Sequence, residues 1–98
     1  MTALTHDETS EEMKDVPDWT HQAKTITRTY KFDGFPNSIA FVNQIAKRAQ
    51  KLDHHPDIDI RFDQVTLVLT TYDADGLTEN DFTLADQCDE EFDTLAEP

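Results

Sequence analysis

The sequence predicts an α+β domain: an antiparallel four-stranded sheet with helices on one face, in the order α-β-β-α-β-β-α. Three observations carry this prediction. The segments ITRTYKF, DIDIRF and VTLVLTT alternate side-chain character with a period of two and are rich in β-branched or aromatic residues, as strands are. Residues 36–52, and again the stretch after Leu77, repeat apolar residues at helical spacing. The breaks fall at Gly34-Phe35-Pro36, at Pro56 and in YDADG, which separates strand-like from helix-like segments.

Residues 9–15 (TSEEMKD) read as a short helix opened by a Thr or Ser cap and closed off by Pro17. A short strand is expected over residues 19–22. In the strand that follows, Ile26, Arg28, Tyr30 and Phe32 alternate with Thr27, Thr29 and Lys31. Pro36 suits the first turn of a helix, and Ile39, Val42, Ile45, Ala46, Ala49 and Leu52 form its stripe. Pro56 disfavours the helical conformation at His55, so this helix stops by Asp53 or His54.

DIDIRF and VTLVLTT then make a hairpin with Asp63-Gln64 as its two-residue turn. This register pairs Phe62 with Val65, Ile60 with Leu67 and Ile58 with Leu69. All six lie on one face and are expected beneath the helices. Carried further, it sets His55 opposite Tyr72. The next helix opens with Thr78 and Asp81 at capping-box spacing and Leu77 and Phe82 at staple positions. Phe82, Ala85, Cys88, Phe92 and Leu95 continue its buried stripe.

Ninety-eight residues make one domain. Residues 1–8 are expected to be a flexible acidic tail and residues 9–98 a single domain. There are 21 acids against 8 bases, a net charge of −13. Residues 1–18 hold six acids and one base, residues 19–72 five and seven, residues 73–98 ten and none. Such a field repels phosphate backbones and argues against direct nucleic-acid binding. It suits a protein adapted to high salt, with the acids on solvated helix faces. No apolar run reaches membrane-spanning length and no signal-peptide pattern opens the chain. The lone cysteine, Cys88, has no partner for an internal disulfide, in keeping with a reducing cytoplasm.

The densest chemical signal is His54-His55-Pro56, since imidazole titrates near neutrality. Neighbours in a strand point to opposite faces, so both rings meet one site only if the backbone turns there. The expected register ends the open face of the sheet in His55 and Tyr72, close to Thr71, Asp73 and Ala74. A phenol is a hydrogen-bond donor and a poor base, ordinarily titrating near about 10. Asp81 already has a structural explanation as a helix cap. Asp53, Asp57 and Asp59 crowd the histidines, but no HxH, HxxxH or HExxH spacing appears, and no metal site is expected. Cys88 falls on a buried stripe and reads as core.

FVNQIAKRAQKLDHHPDIDIRF followed by VTLVLTTYDADGLTENDFTLA resembles pterin-4a-carbinolamine dehydratase. The resemblance covers residues 19–85 and rests on the HHP triplet, its spacing to the LTT-x-D-A-x-G-L-T turn, and the later Asp81. It implies the element order given above and dehydration of a 4a-hydroxy-tetrahydropterin to the quinonoid dihydropterin, in recycling of the pterin cofactor. It implies no metal and no organic cofactor, a reduced pterin as substrate, and a homo-oligomer, dimer or tetramer. The residues implied in catalysis are His54, His55, Tyr72 and Asp81. Pterin contacts are implied at His54, His55, Pro56, Thr71, Tyr72, Asp73 and Ala74. With the expected register, His55 becomes the main acid/base, and His54 and Tyr72 orient the pterin. Two positions depart: Tyr72 stands in place of a third histidine, and Gln50 in place of an acid four residues before the first. The missing histidine favours an alternative reading, a catalytically weak pterin-binding or assembly protein that keeps the fold.

Overall fold

A computed structural model describes residues 2–96. Its elements are α1 (His6–Met13), β1 (Thr20–Gln22), β2 (Thr25–Lys31), α2 (Phe35–Leu52), β3 (Asp57–Arg61), β4 (Gln64–Leu69), a 3-10 turn (Tyr72–Ala74) and α3 (Glu79–Ala96). The sheet is antiparallel throughout, in the order β1-β2-β4-β3. This is the α+β architecture read from the sequence. No helix among the described residues is long and apolar enough to cross a membrane.

Helix α1 starts earlier than the sequence suggests. Its cap is Thr5, whose hydroxyl accepts the Glu8 N–H at 3.1 Å while the Glu8 carboxylate accepts the Thr5 N–H at 2.8 Å. This capping box satisfies two N-terminal donors at once. Residues 5–8, expected in a flexible tail, therefore form the cap and first turn. Thr9 is buried.

The core lies between the central strands and the two long helices. Ile26 and Tyr30 of β2 and Val65, Leu67 and Leu69 of β4 meet Phe41, Ile45 and Ala49 of α2 and Phe82, Leu84, Ala85 and Cys88 of α3. The buried stripe of α2 is rotated from the expected one. Ser38, Phe41, Ile45 and Ala49 are buried, Ile39, Val42 and Leu52 half-buried, and Ala46 exposed. The Phe41 ring decides this, packing 4.7 Å from Tyr30 and 5.1 Å from Phe32 between centroids. Burying so large an aromatic surface outweighs burying Ala46. Asp89 of α3 ties helix to sheet: one carboxylate oxygen accepts from Trp19 Nε1 at 3.0 Å, Arg28 at 2.7 Å and Tyr30 OH at 2.5 Å.

The β3–β4 hairpin corrects the expected register. Arg61 pairs with Gln64, Ile60 with Val65 and Ile58 with Leu67. The loop is Phe62-Asp63, and every pairing slips by two, which keeps the same side chains on the same face. The cause is tertiary. Strand β2 pairs with β4 as far as Lys31 with Gln64, and the Phe32 N–H donates to Asp63 O at 2.8 Å. Gln64 is thereby held in the ladder, and Phe62 must turn, with φ 53°. Since β3 is an edge strand, only Val65, Leu67 and Leu69 of the six expected residues are fully buried. Ile60 is half-buried, while Ile58 and Phe62 are exposed.

Candidate active site

The end of α2 sets the two histidines apart. Asp53 adopts the left-handed conformation, φ 54° and ψ 45°. Its N–H bonds to Gln50 O at 3.3 Å, and the His54 N–H bonds to Ala49 O at 3.0 Å, a Schellman ending. The chain reverses here, and Pro56 keeps it extended into β3. His54 turns inward and is 9% exposed, while His55 faces solvent.

His54 enters a buried polar cluster. Its Nε2 lies 2.5 Å from Asp81 Oδ1, and Asp81 is fully buried. Asp81 Oδ2 accepts the Thr71 hydroxyl at 2.8 Å and the Thr78 N–H at 2.9 Å. A carboxylate with both oxygens receiving protons acts as acceptor, so His54 Nε2 carries the hydrogen. The Thr71 hydroxyl spends its proton on Asp81, so in the 2.8 Å Thr71–Thr78 contact it is Thr78 that donates. The bond from the Thr78 N–H to Asp81 is half of the predicted capping box. The other oxygen of Asp81 goes to His54, so the cap and the site share one residue. Every buried side-chain polar atom among the described residues is satisfied.

The Tyr72–Ala74 turn separates this cluster from an outer one. Asp75 takes the left-handed conformation, and Thr71 and Gly76 bridge backbone to backbone across the turn. His55 and Tyr72, expected to face each other, find other partners. His55 Nε2 donates to Gln50 Oε1 at 3.2 Å, and the Tyr72 hydroxyl donates to Asp57 at 3.4 Å. The two-residue slip of the hairpin removes the pairing. Tyr72 and Asp73 are exposed, Pro56 and Ala74 half-buried. A shallow depression on α2, lined by Ala46, Lys47, Gln50 and Lys51, includes the residue that holds His55.

The structure thus brings His54, Thr71 and Asp81 together inside and leaves His55 and Tyr72 at the rim. Sequence reasoning placed Thr78 and Asp81 in one capping box but missed the Thr71 hydroxyl as a donor to Asp81 and Asp57 as the partner of Tyr72. The first depended on the Tyr72–Ala74 turn, which brings Thr71 back to Asp81. The second depended on the hairpin register.

The inner arrangement fixes the ring of His54 and fixes which nitrogen carries hydrogen, which leaves Nδ1 to exchange a proton with a ligand. The chain as a whole is similar to known proteins. Residues 2–91 match the family model described as pterin 4 alpha carbinolamine dehydratase. Proteins named as pterin-4-alpha-carbinolamine dehydratases from Roseiflexus sp. (strain RS-1) and Roseiflexus castenholzii (strain DSM 13941 / HLO8) are 49% and 50% identical over 89 and 91 residues. These matches cover 91% and 92% of this chain and 96% and 98% of theirs. The crystal structure of a transcriptional coactivator/pterin dehydratase from Brucella melitensis superposes with a TM-score of 0.89 at 32% identity, covering 92% of this chain and 98% of that one. With this match across nearly the whole length, the chain belongs to the pterin-4a-carbinolamine dehydratase family.

Proposed function

We propose that this protein dehydrates 4a-hydroxy-tetrahydropterin to quinonoid dihydropterin, and that the buried His54–Asp81 pair is the centre of the reaction. The chemistry is redox-neutral. The C4a–O bond breaks, the hydroxyl leaves as water after taking a proton, and N5 loses a proton as the C4a=N5 bond forms. One acid and one base suffice, and no electron acceptor is needed.

The observation that carries the reading is the 2.5 Å contact between His54 Nε2 and a fully buried carboxylate. A carboxylate so placed holds the ring in one tautomer and compensates the charge that appears on imidazole during proton transfer. His54 therefore takes the leading acid/base role that the expected register had given to His55. His55 supplies the second proton-transfer group from the rim, held by Gln50. Pro56, Tyr72, Asp73 and Ala74 line the approach of the pterin. Thr71 acts through Asp81. Exposed Ile58 and Phe62 on the β3 hairpin suit burial in a homo-oligomer. Light scattering in molar salt reads its size.

A dehydration assay with synthetic 4a-hydroxy-tetrahydropterin in molar KCl tests the assignment. His54→Ala and Asp81→Asn are each expected to lower kcat by about 10²–10⁴-fold, and His55→Ala by less. Pterin binding without turnover in the wild-type protein would leave the alternative, a pterin-binding or assembly protein, which the exposed phenol of Tyr72 favours. Wild-type turnover that His54→Ala does not change would move the chemistry elsewhere.

A further inference from the structure

The segment at residues 2–5 crosses the turn that feeds Asp81. The Leu4 N–H donates to Leu77 O at 2.7 Å, and the Leu4 side chain packs on the core. Next to it, Ala3 lies against Gly76: a Cβ built on Gly76 would stand 2.9 Å from the Ala3 Cβ. Two carbons prefer about 3.5–4.0 Å, so the glycine is what lets the segment sit this close. Gly76 has no positive φ. Position 76 needs a missing side chain, not backbone freedom.

Gly76 is also bonded in both directions to Thr71, through Thr71 N to Gly76 O at 3.0 Å and Gly76 N to Thr71 O at 3.4 Å. Thr71 and Thr78 bracket this turn, and they are the two residues that donate to Asp81 Oδ2. Leu77, which receives the Leu4 N–H, shares a peptide unit with the Thr78 N–H. A shift of the segment is therefore passed on to the Thr78 donor, to Asp81, and to the ring that Asp81 holds.

We propose that Ala3, Leu4 and Gly76 are positioning residues of the active site: the N-terminal segment, seated on the Thr71–Thr78 turn, sets the donors on Asp81 and so the orientation of His54. This rests on the reading of His54–Asp81 as the reacting pair. The contact is selective in a testable way, because one carbon atom opposes one missing carbon atom.

Gly76→Ala forces the segment off the turn. The readouts are the ring-nitrogen and hydrogen-bonded ring-proton NMR signals of His54, together with kcat and KM. Gly76→Ala is expected to shift the His54 signals and lower kcat by about 10-fold or more, as small misplacements at a reacting centre do, with little change in KM. Adding Ala3→Gly, which removes the carbon that is struck, restores both readouts. Leu4→Pro, which deletes the donor to Leu77 O, moves the same signals and decides the matter if Gly76→Ala does not fold. Native His54 signals in both single variants, or a double variant that stays impaired, would overturn the proposal. Signals that move and recover as expected in a protein with no wild-type turnover would uphold the positioning and remove the dehydratase reading instead.

Discussion

Asp81 holds the start of α3 and the ring of His54 with the two oxygens of one buried carboxylate. Its capping role was legible from its spacing to Thr78, and the HHP triplet pointed to the histidines. Their connection was not legible, because it depends on how Asp53 reverses the chain, and nothing local in DHHP requires a left-handed aspartate. Tyr72 shows the opposite case. Its identity is plain in the sequence and its position is now clear: 75% exposed, its hydroxyl 3.4 Å from Asp57. A phenol there donates a hydrogen bond, whereas imidazole gives and takes protons near neutrality. Tyr72→His is expected to raise kcat, by about 10²-fold if a whole acid/base contribution is missing. Stability should stay within about 0.5 kcal/mol, since the side chain is at the surface. A fall in kcat would show that the phenol belongs to a working variant of the site.

At the scale of elements, the long helices and the paired strands were legible because periodicity is a local property. The register of the β3–β4 hairpin was not. Neither Asp63-Gln64 nor Phe62-Asp63 is a strong turn sequence, so the choice fell to β2, which holds Gln64 in the ladder and binds Asp63 from Phe32. The same two-residue error carried through to the unmade pairing of His55 with Tyr72. The cost of the true register sits on Phe62, left-handed at φ 53° and 69% exposed. An L-residue loses about 1–2 kcal/mol in that conformation, while glycine enters it freely but is more disordered when unfolded. Phe62→Gly should therefore raise the stability of the isolated chain by about 1 kcal/mol, read from urea unfolding. A loss of stability that grows with protein concentration would place the Phe62 ring in a contact between copies.

At the scale of the whole molecule, charge dominates. Ten acids and no base occupy residues 73–98. Some are neutralised by neighbouring elements, Glu91 by Arg48 of α2 at 2.9 Å and Asp89 by Arg28 of β2 at 2.7 Å. With 21 acids against 8 bases, a large uncompensated negative charge remains. Screening shortens the Debye length to about 3 Å at 1 M salt, so Tm should climb from dilute buffer to molar KCl. A flat or falling Tm would remove the high-salt reading. Molar KCl also isolates a second, internal effect. Burial pushes the Tyr30 phenol well above its ordinary range, helped by its bond to Asp89 and opposed by Arg28, and burial pushes the Cys88 thiol up as well. The folded state thus keeps both protons after the unfolded chain has begun to release them, near about 8.5 for a thiol and about 10 for a phenol. Their contribution is complete below those values and declines as pH rises above them, by about 1.4 kcal/mol per pH unit for each group. Urea unfolding in molar KCl at pH 8, 10 and 11 should show stability falling, most steeply above pH 10, and Cys88 should react with a thiol reagent only as the chain unfolds. Stability unchanged up to pH 11, or a native Cys88 that reacts as fast as a free thiol, would mean that these two groups are not sealed in the core as the structure has them.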